Sequence, residues 1–388
     1  MAHNRIIHVY QRFAVWTLNF IIMFVVVNLV LWIPFAIRDA TKSPPPIERF
    51  GLPTILTAYP GWRSEDVISL LHETWSRELE YEAYTQFKEA EFHGEYVNVS
   101  SAGFRVTKNQ GPWPPSPSHF NIFLFGGSTT FGYGQPDNQT IASHLQTLAN
   151  EHLTLNVRVY NFGRGFYFST QERVLFDRMA AAIGDRINLA IFIDGLNDAY
   201  IGSSDEPVFT EDYRDLVRTG GNDSLMHRIP LMRMAQSLQA RMGPVTKPPT
   251  HHDENTPTAV IERLTRNKSE VEAIANAVPQ RSIKTMFILQ PVAPFAESFE
   301  RHPFANTIED FGPHVMAARV YRFIADSHLQ SGEDDSLQTT WGAEWCAKVA
   351  PTGDAPHYVD RVHYSAAMSK AIARRILDLM IRRRVIND

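Results

Sequence analysis

Cysteine is nearly absent from this chain. Cys346 stands alone among 388 residues, so no intramolecular disulfide can form and a disulfide-framed module is excluded. Its plainest reading is a small buried apolar side chain. Glycine (21) and proline (24) are too few and too irregular for a collagen-like or low-complexity chain. An excess of positive charge is also lacking: 37 Lys and Arg against 42 Asp and Glu give a formal net charge of −5. Without a basic field there is no electrostatic footprint for nucleic acid, and no nucleic-acid partner is expected. Repeats and heptad arrays are missing. Metal-ligand spacing is missing too, apart from His251-His252-Asp253-Glu254. Adjacent histidines in a polar stretch read as solvated side chains, so no metal site is expected. What remains is an ordinary globular composition, 44% hydrophobic and 20% charged.

Charge is absent locally as well. Residues 13–37, FAVWTLNFIIMFVVVNLVLWIPFAI, hold no charged side chain. At about 1.5 Å per residue this run exceeds a hydrocarbon core of about 30 Å. Trp16 and Trp32 lie toward its ends, where indoles favour the headgroup level. Asn19 and Asn28 weaken the hydropathy without abolishing it. The run is too long for the apolar region of a signal peptide and is not followed by a clean small-x-small cleavage site. The expectation is one transmembrane helix over 13–37 behind a stub at 1–12. Arg5 and Arg12 on one side roughly balance Arg38, Lys42 and Arg49, offset by Asp39 and Glu48, on the other. Flanking charge therefore does not set the orientation. Residues 38–119 read as a linker and N-terminal extension, with SPPPIE as a stiff, extended spacer.

From residue 120 the pattern alternates between strand and helix. NIFLF (121–125), VRVYNFG (157–163), NLAIFIDG (188–195) and TMFILQPV (285–292) read as buried strands. Helical stretches at 139–151 and 171–183 separate the first three, and an amphipathic helix at 365–384 closes the chain. Residues 202–256, rich in Asp, Pro, Gly and His, read as an insertion within a domain spanning 120–388. The alternation predicts an α/β fold of three layers, α/β/α, with a parallel, flavodoxin-like sheet. Ligands in such sheets sit beyond the carboxyl ends of the strands.

The chemistry-bearing residues cluster there. FLFGGSTTFG ends a strand, turns on two glycines and presents Ser128 before a helix, which suits a nucleophile and an oxyanion donor. A phosphate loop would need the Lys that this segment lacks. GLND, closing the third strand, offers the Asn197 amide as a donor to a developing oxyanion. YVDRVHYS places Asp360 and His363 at i and i+3, so that the carboxylate can take the Nδ1–H and leave Nε2 as base. A second such pair, Asp354 and His357, falls in a loop containing Pro and Gly; Asp360 and His363 directly precede the C-terminal helix.

Taken together, Ser128, the glycines of NFGRGFYFSTQE, Asn197 and the DRVH pair occur in the order that resembles the SGNH (GDSL-type) hydrolase superfamily over residues 120–385. The resemblance implies the SGNH hydrolase fold and a serine esterase with Ser128, Asp360 and His363 as triad. It implies an oxyanion hole from Ser128, Gly165 and Asn197, and no cofactor. Two departures from the family pattern stand out. Gly127 replaces the usual Asp, and the second block is shifted, so that Gly163, Gly165 or Phe166 could supply the N–H. The resemblance, with the anchor, implies a single-pass protein of a bacterial inner membrane, its catalytic domain on the periplasmic or extracellular side. Its substrate would be an acylated carbohydrate or lipid-linked glycan, with acetyl the favoured acyl group. Acyl transfer to sugar hydroxyls by the same triad is an alternative, as is a non-catalytic glycan-binding or assembly protein.

Overall fold

The computed structural model describes residues 2–41, 43–202, 229–235, 256–279, 282–296, 302–331, 349–351 and 355–386. Asp354, Cys346, the 251–254 cluster and most of the expected insertion lie outside the described residues. Two compact units are present: Met1–Ser43 with Glu211–Pro248, and Pro44–Thr210 with Pro249–Asp388.

In the first unit, Ala2–Thr41 is one continuous helix. Within it Ile7–Ile37 is long and apolar enough to cross a membrane, and its side chains are not buried by protein. The polar atoms of Asn28 are nevertheless satisfied. Its Nδ2 donates to Phe24 O at 2.8 Å, and its Oδ1 accepts the Leu231 N–H at 3.0 Å, which lowers the penalty of an amide in an apolar run.

Among the described residues the second unit holds eight strands: β1 (Leu79–Glu82), β2 (Gln86–Glu89), β3 (Phe92–His93), β4 (Asn98–Val99), β5 (Phe120–Gly126), β6 (Val157–Asn161), β7 (Leu189–Asp194) and β8 (Lys284–Leu289). The last four form a parallel sheet in the order β6-β5-β7-β8. Alternation along each strand gives its two faces different cores. On one, Phe125, Phe192 and Phe287 stand in register on adjacent strands with ring centroids 4.9 and 5.3 Å apart, close to the strand spacing of about 4.8 Å. Phe176 of the Ser169–Ile183 helix packs edge-on against this ladder. On the other, Ile122, Leu124, Ile191, Ile193 and Ile288 share an aliphatic core with the helices Ile141–His152 and Ala366–Arg382. The expected three-layer α/β/α architecture is therefore present.

The order has a consequence for function. β6 lies to one side of β5 and β7 to the other, so the crossover connections diverge at the carboxyl ends of β5 and β7. Divergence opens a crevice at that switch point, where Ser128 and Asn197 follow their strands.

The N-terminal segment departs from expectation. Within the segment expected as linker and N-terminal extension (38–119), Val67, Leu70, Leu71, Val97 and Val99 are buried in the same core as the sheet. The proline run is not extended. Pro45–Phe50 and Leu52–Leu56 are short helices. Prolines in a first turn give up N–H groups that would have no helical acceptor, and their fixed φ suits the helix.

Candidate active site

β5 delivers the chain to Gly127 and to Ser128, the first residue of a single helical turn, Ser128–Phe131. Gly132, with φ of 93°, closes that turn in the left-handed region, where glycine is unstrained. At Gly127 the constraint is steric: a Cβ would come within 2.5 Å of Asn197 Nδ2 and 3.2 Å of Tyr167 O, so Asn197 would have to shift. The Asp usual in the family resemblance would displace the amide.

A buried cation clamps the nucleophile turn from outside the sheet. Arg105 is bridged to Asn161 at the end of β6. Its guanidinium donates to the carbonyls of Phe131 (3.2 Å), Gly132 (2.7 Å) and Gln135 (2.5 Å) and to Asp137 Oδ1 (3.1 Å). Burial pulls its pKa down to about 10 against the pull of Asp137, so it stays charged near neutrality. Asn161 Nδ2 adds bonds to Thr130 O and Phe131 O at 3.0 and 3.3 Å. Satisfied carbonyls on a tight turn fix where Ser128 points.

His363 reaches this serine across 235 residues of sequence. Its Nε2 lies 2.9 Å from Ser128 Oγ, and its Nδ1 lies 2.6 Å from Asp360 Oδ2. Asp360 Oδ1 accepts the backbone N–H groups of Val362 and His363 at 2.9 and 2.8 Å. Burial alone would raise this carboxyl. The His363 interaction and the donated N–H groups outweigh it and hold Asp360 below the usual carboxylate range. The imidazole is also held by rings: Tyr133 stacks on it at 5.2 Å and 18°, and Trp75 meets it edge-on at 5.8 Å and 85°. Tyr133 OH in turn donates to Glu89 Oε1 at 3.3 Å, and Arg77 lies 3.2 Å from Glu89 Oε2. Trp75, Arg77 and Glu89 belong to the segment that sequence patterns read as an extension, and nothing in local periodicity marked them. His363, not His357, faces Ser128.

Asn197 stands in the helix Leu196–Ile201 after β7, and its Nδ2 donates to Tyr167 O at 2.6 Å. One amide hydrogen fixes the side chain and the other remains to donate. The neighbouring Asp198 is buried and anchors the surroundings. It accepts from Ser169 N (3.1 Å) and Oγ (2.6 Å) and from Arg263 Nε (3.0 Å).

Gly165, the third expected donor, has an acceptor of its own among the described residues. The Gly165 N–H is directed to Glu89 Oε1 at 3.3 Å. Residues 164–167 form a turn closed by the Tyr167 N–H to Arg164 O at 3.3 Å. Phe166 occupies its third position with φ of 61° and is 64% exposed. That position normally takes glycine. Among the described residues the N–H of Phe166 meets no acceptor, and neither does that of Ser128.

No family model matches the sequence, and no curated protein matches it. Solved structures do show likeness. A lipolytic protein of the G-D-S-L family from Veillonella parvula is 13% identical over 68% of this chain and 98% of its own, with a TM-score of 0.34. An acetylxylan esterase from Geobacillus stearothermophilus is 15% identical over 68% and 94%, TM-score 0.32. An aryl esterase from M. smegmatis is 14% identical over 67% and 99%, TM-score 0.34.

Proposed function

We propose that this chain is a membrane-anchored serine ester hydrolase. The observation that carries the reading is the continuous line from Asp360 Oδ2 through His363 to Ser128 Oγ, with bonds of 2.6 and 2.9 Å. In the acylation step, Ser128 Oγ forms a bond to the ester carbonyl carbon as its proton passes to His363 Nε2. The carbonyl π pair moves to oxygen, beside the free N–H of Ser128 and the Asn197 amide. The Phe166 N–H is the third donor in place of Gly165, whose N–H is taken by Glu89. Collapse breaks the bond to the alkoxy oxygen, which leaves with the proton from His363. Water repeats the sequence on the acyl-serine and releases the acid. Asp360 keeps the imidazole in the Nδ1–H tautomer and stabilises its charged form. None of these steps calls for a cofactor.

The apolar helix would serve as a single-pass anchor, with the catalytic unit on the periplasmic or extracellular side. Tethering concentrates an enzyme on surface-bound substrates, which supports an acetyl ester of an envelope polysaccharide or lipid-linked glycan. In full-length protein in detergent, Ser128→Ala is expected to abolish p-nitrophenyl acetate hydrolysis and fluorophosphonate labelling with an unchanged circular dichroism spectrum. Retained turnover in that variant removes Ser128 as nucleophile. The protein should also stay in the membrane pellet after alkaline carbonate extraction, and release there removes the anchor.

A further inference from the structure

A cavity of about 340 Å³ adjoins His363. Two guanidinium groups, from Arg49 and Arg361, line it, and both lie against the Phe50 ring, 6.0 and 5.9 Å from its centroid. Among the described residues neither is within salt-bridge distance of a carboxylate. The buried Nε of Arg361 has no hydrogen-bond acceptor among the described residues. Burial and then the like charge of Arg49 pull the Arg361 pKa down, as expected of two cations without a shared counter-ion.

The other ionisable groups do not balance them. Among the described residues Asp360 is the one carboxylate in the lining, and its oxygens are engaged by His363 and two backbone N–H groups. Asp310 acts on Arg361 from further away; its Oδ2 caps the N–H groups of Asn306 and Thr307 at 2.8 and 3.0 Å. His314, also in the lining, is held neutral near pH 7 because burial lowers its pKa to about 4. Phe50, Trp75 and Phe311 also line the cavity and give it apolar walls. A planar guanidinium pair beside an aromatic wall matches carboxylate or phosphate on a carbon framework.

We propose that this cavity is a subsite for an oxyanion carried by the substrate, so that the ester cleaved at Ser128 bears a carboxylate or phosphate. The proposal rests on the esterase reading and names its substrate class. The oxyanion can lie on the acyl or the alcohol portion, and matched esters distinguish the two. Full-length protein in detergent is assayed with 4-nitrophenyl hydrogen glutarate against 4-nitrophenyl valerate, and with 4-acetoxybenzoate against its methyl ester. One pair should favour the anionic member by about tenfold or more in kcat/KM, the scale of one charge-assisted hydrogen bond. That ratio should collapse toward one in Arg49→Gln and in Arg361→Gln; Arg49 sits on a helix separate from the triad. Binding is measured independently of turnover by titrating Ser128→Ala with phenyl phosphate and benzoate in a calorimeter. Binding lost on adding Arg49→Gln supports the subsite. Equal rates within both pairs and no binding of either probe would overturn it while leaving the esterase intact. An anionic preference that survives both arginine variants overturns it too. A protein inactive on all four esters that still binds phenyl phosphate through Arg49 keeps the subsite and loses the hydrolase. If turnover and binding are both absent, both fall.

Discussion

Asp360 and Asp194 are both buried carboxyl groups in the second unit, and their environments drive them in opposite directions. Asp360 accepts three N–H groups, one from the imidazole and two from its own turn, and stays ionised. Asp194, the last residue of β7, faces the equally buried Glu172, and Asp198 adds a further negative charge. Burial and then the Asp198 charge push the Asp194 carboxyl up to about 7 against the opposing hydrogen bond from Glu172, while burial, Asp194 and Asp198 all lift Glu172 well above the usual range. Depth of burial therefore does not decide whether a carboxyl is charged here; the number of donors aimed at it does. Only the ionised one is placed to stabilise an imidazolium.

The hardest test of this contrast removes the charge that is kept. Asp360→Asn preserves shape while abolishing the negative charge, and kcat should fall by about 10⁴. His363→Ala should fall at least as far, while His357→Ala stays near wild type. Measured on p-nitrophenyl acetate, the reverse order between the two histidines would shift the base to His357.

A smaller effect comes from adding a carboxyl where neither donors nor room exist. Gly127→Asp should push the Asn197 amide away from the oxyanion position, and loss of one such donor costs about 10²–10³ in kcat. If Gly127→Asp turned over at the wild-type rate, the steric account of that glycine would be wrong.

Stability should show the contrast as opposite pH dependences. A carboxyl whose folded-state pKa is raised binds more protons folded than unfolded. Asp194 and Glu172 therefore stabilise the fold at low pH, and that contribution is lost as pH rises above about 4, through about 7 for Asp194. Asp360, held low, acts in the other sense: its contribution is present above about pH 4 and is lost as pH falls below it. Replacing Glu172 by Gln together with Asp194 by Asn should flatten the decline between pH 4 and 7, an effect on the order of a few kcal/mol. Urea midpoints across that range give the measurement, and an unchanged slope would mean the pair is ionised in the folded protein. The smallest expected change is at the turn. Phe166→Gly relieves a left-handed, exposed side chain but frees the unfolded chain, so thermal unfolding should shift upward by less than about 1 kcal/mol.

Much of the unit was legible along the chain because the signals are local. Runs such as NIFLF and NLAIFIDG announce buried strands by being apolar on both faces. Two glycines after β5 announce a tight turn bearing Ser128, and DRVH needs only four residues to place a carboxylate beneath an imidazole. The membrane-length helix was legible for the same reason, since length and absent charge are properties of one segment. Other features depend on partners far away in sequence. Trp75 and Glu89 gain their roles from Tyr133 and His363, Arg105 from carbonyls some 30 residues on, and Arg361 from Arg49. The Gly165 N–H finds an acceptor in Glu89, a residue 76 positions earlier. Hydropathy and spacing report which residues must be buried and which turns are allowed. Which buried polar group meets which donor is decided only when the sheet order β6-β5-β7-β8 and the packed N-terminal segment bring those residues within hydrogen-bond reach, because the energies that select them act over about 3 Å.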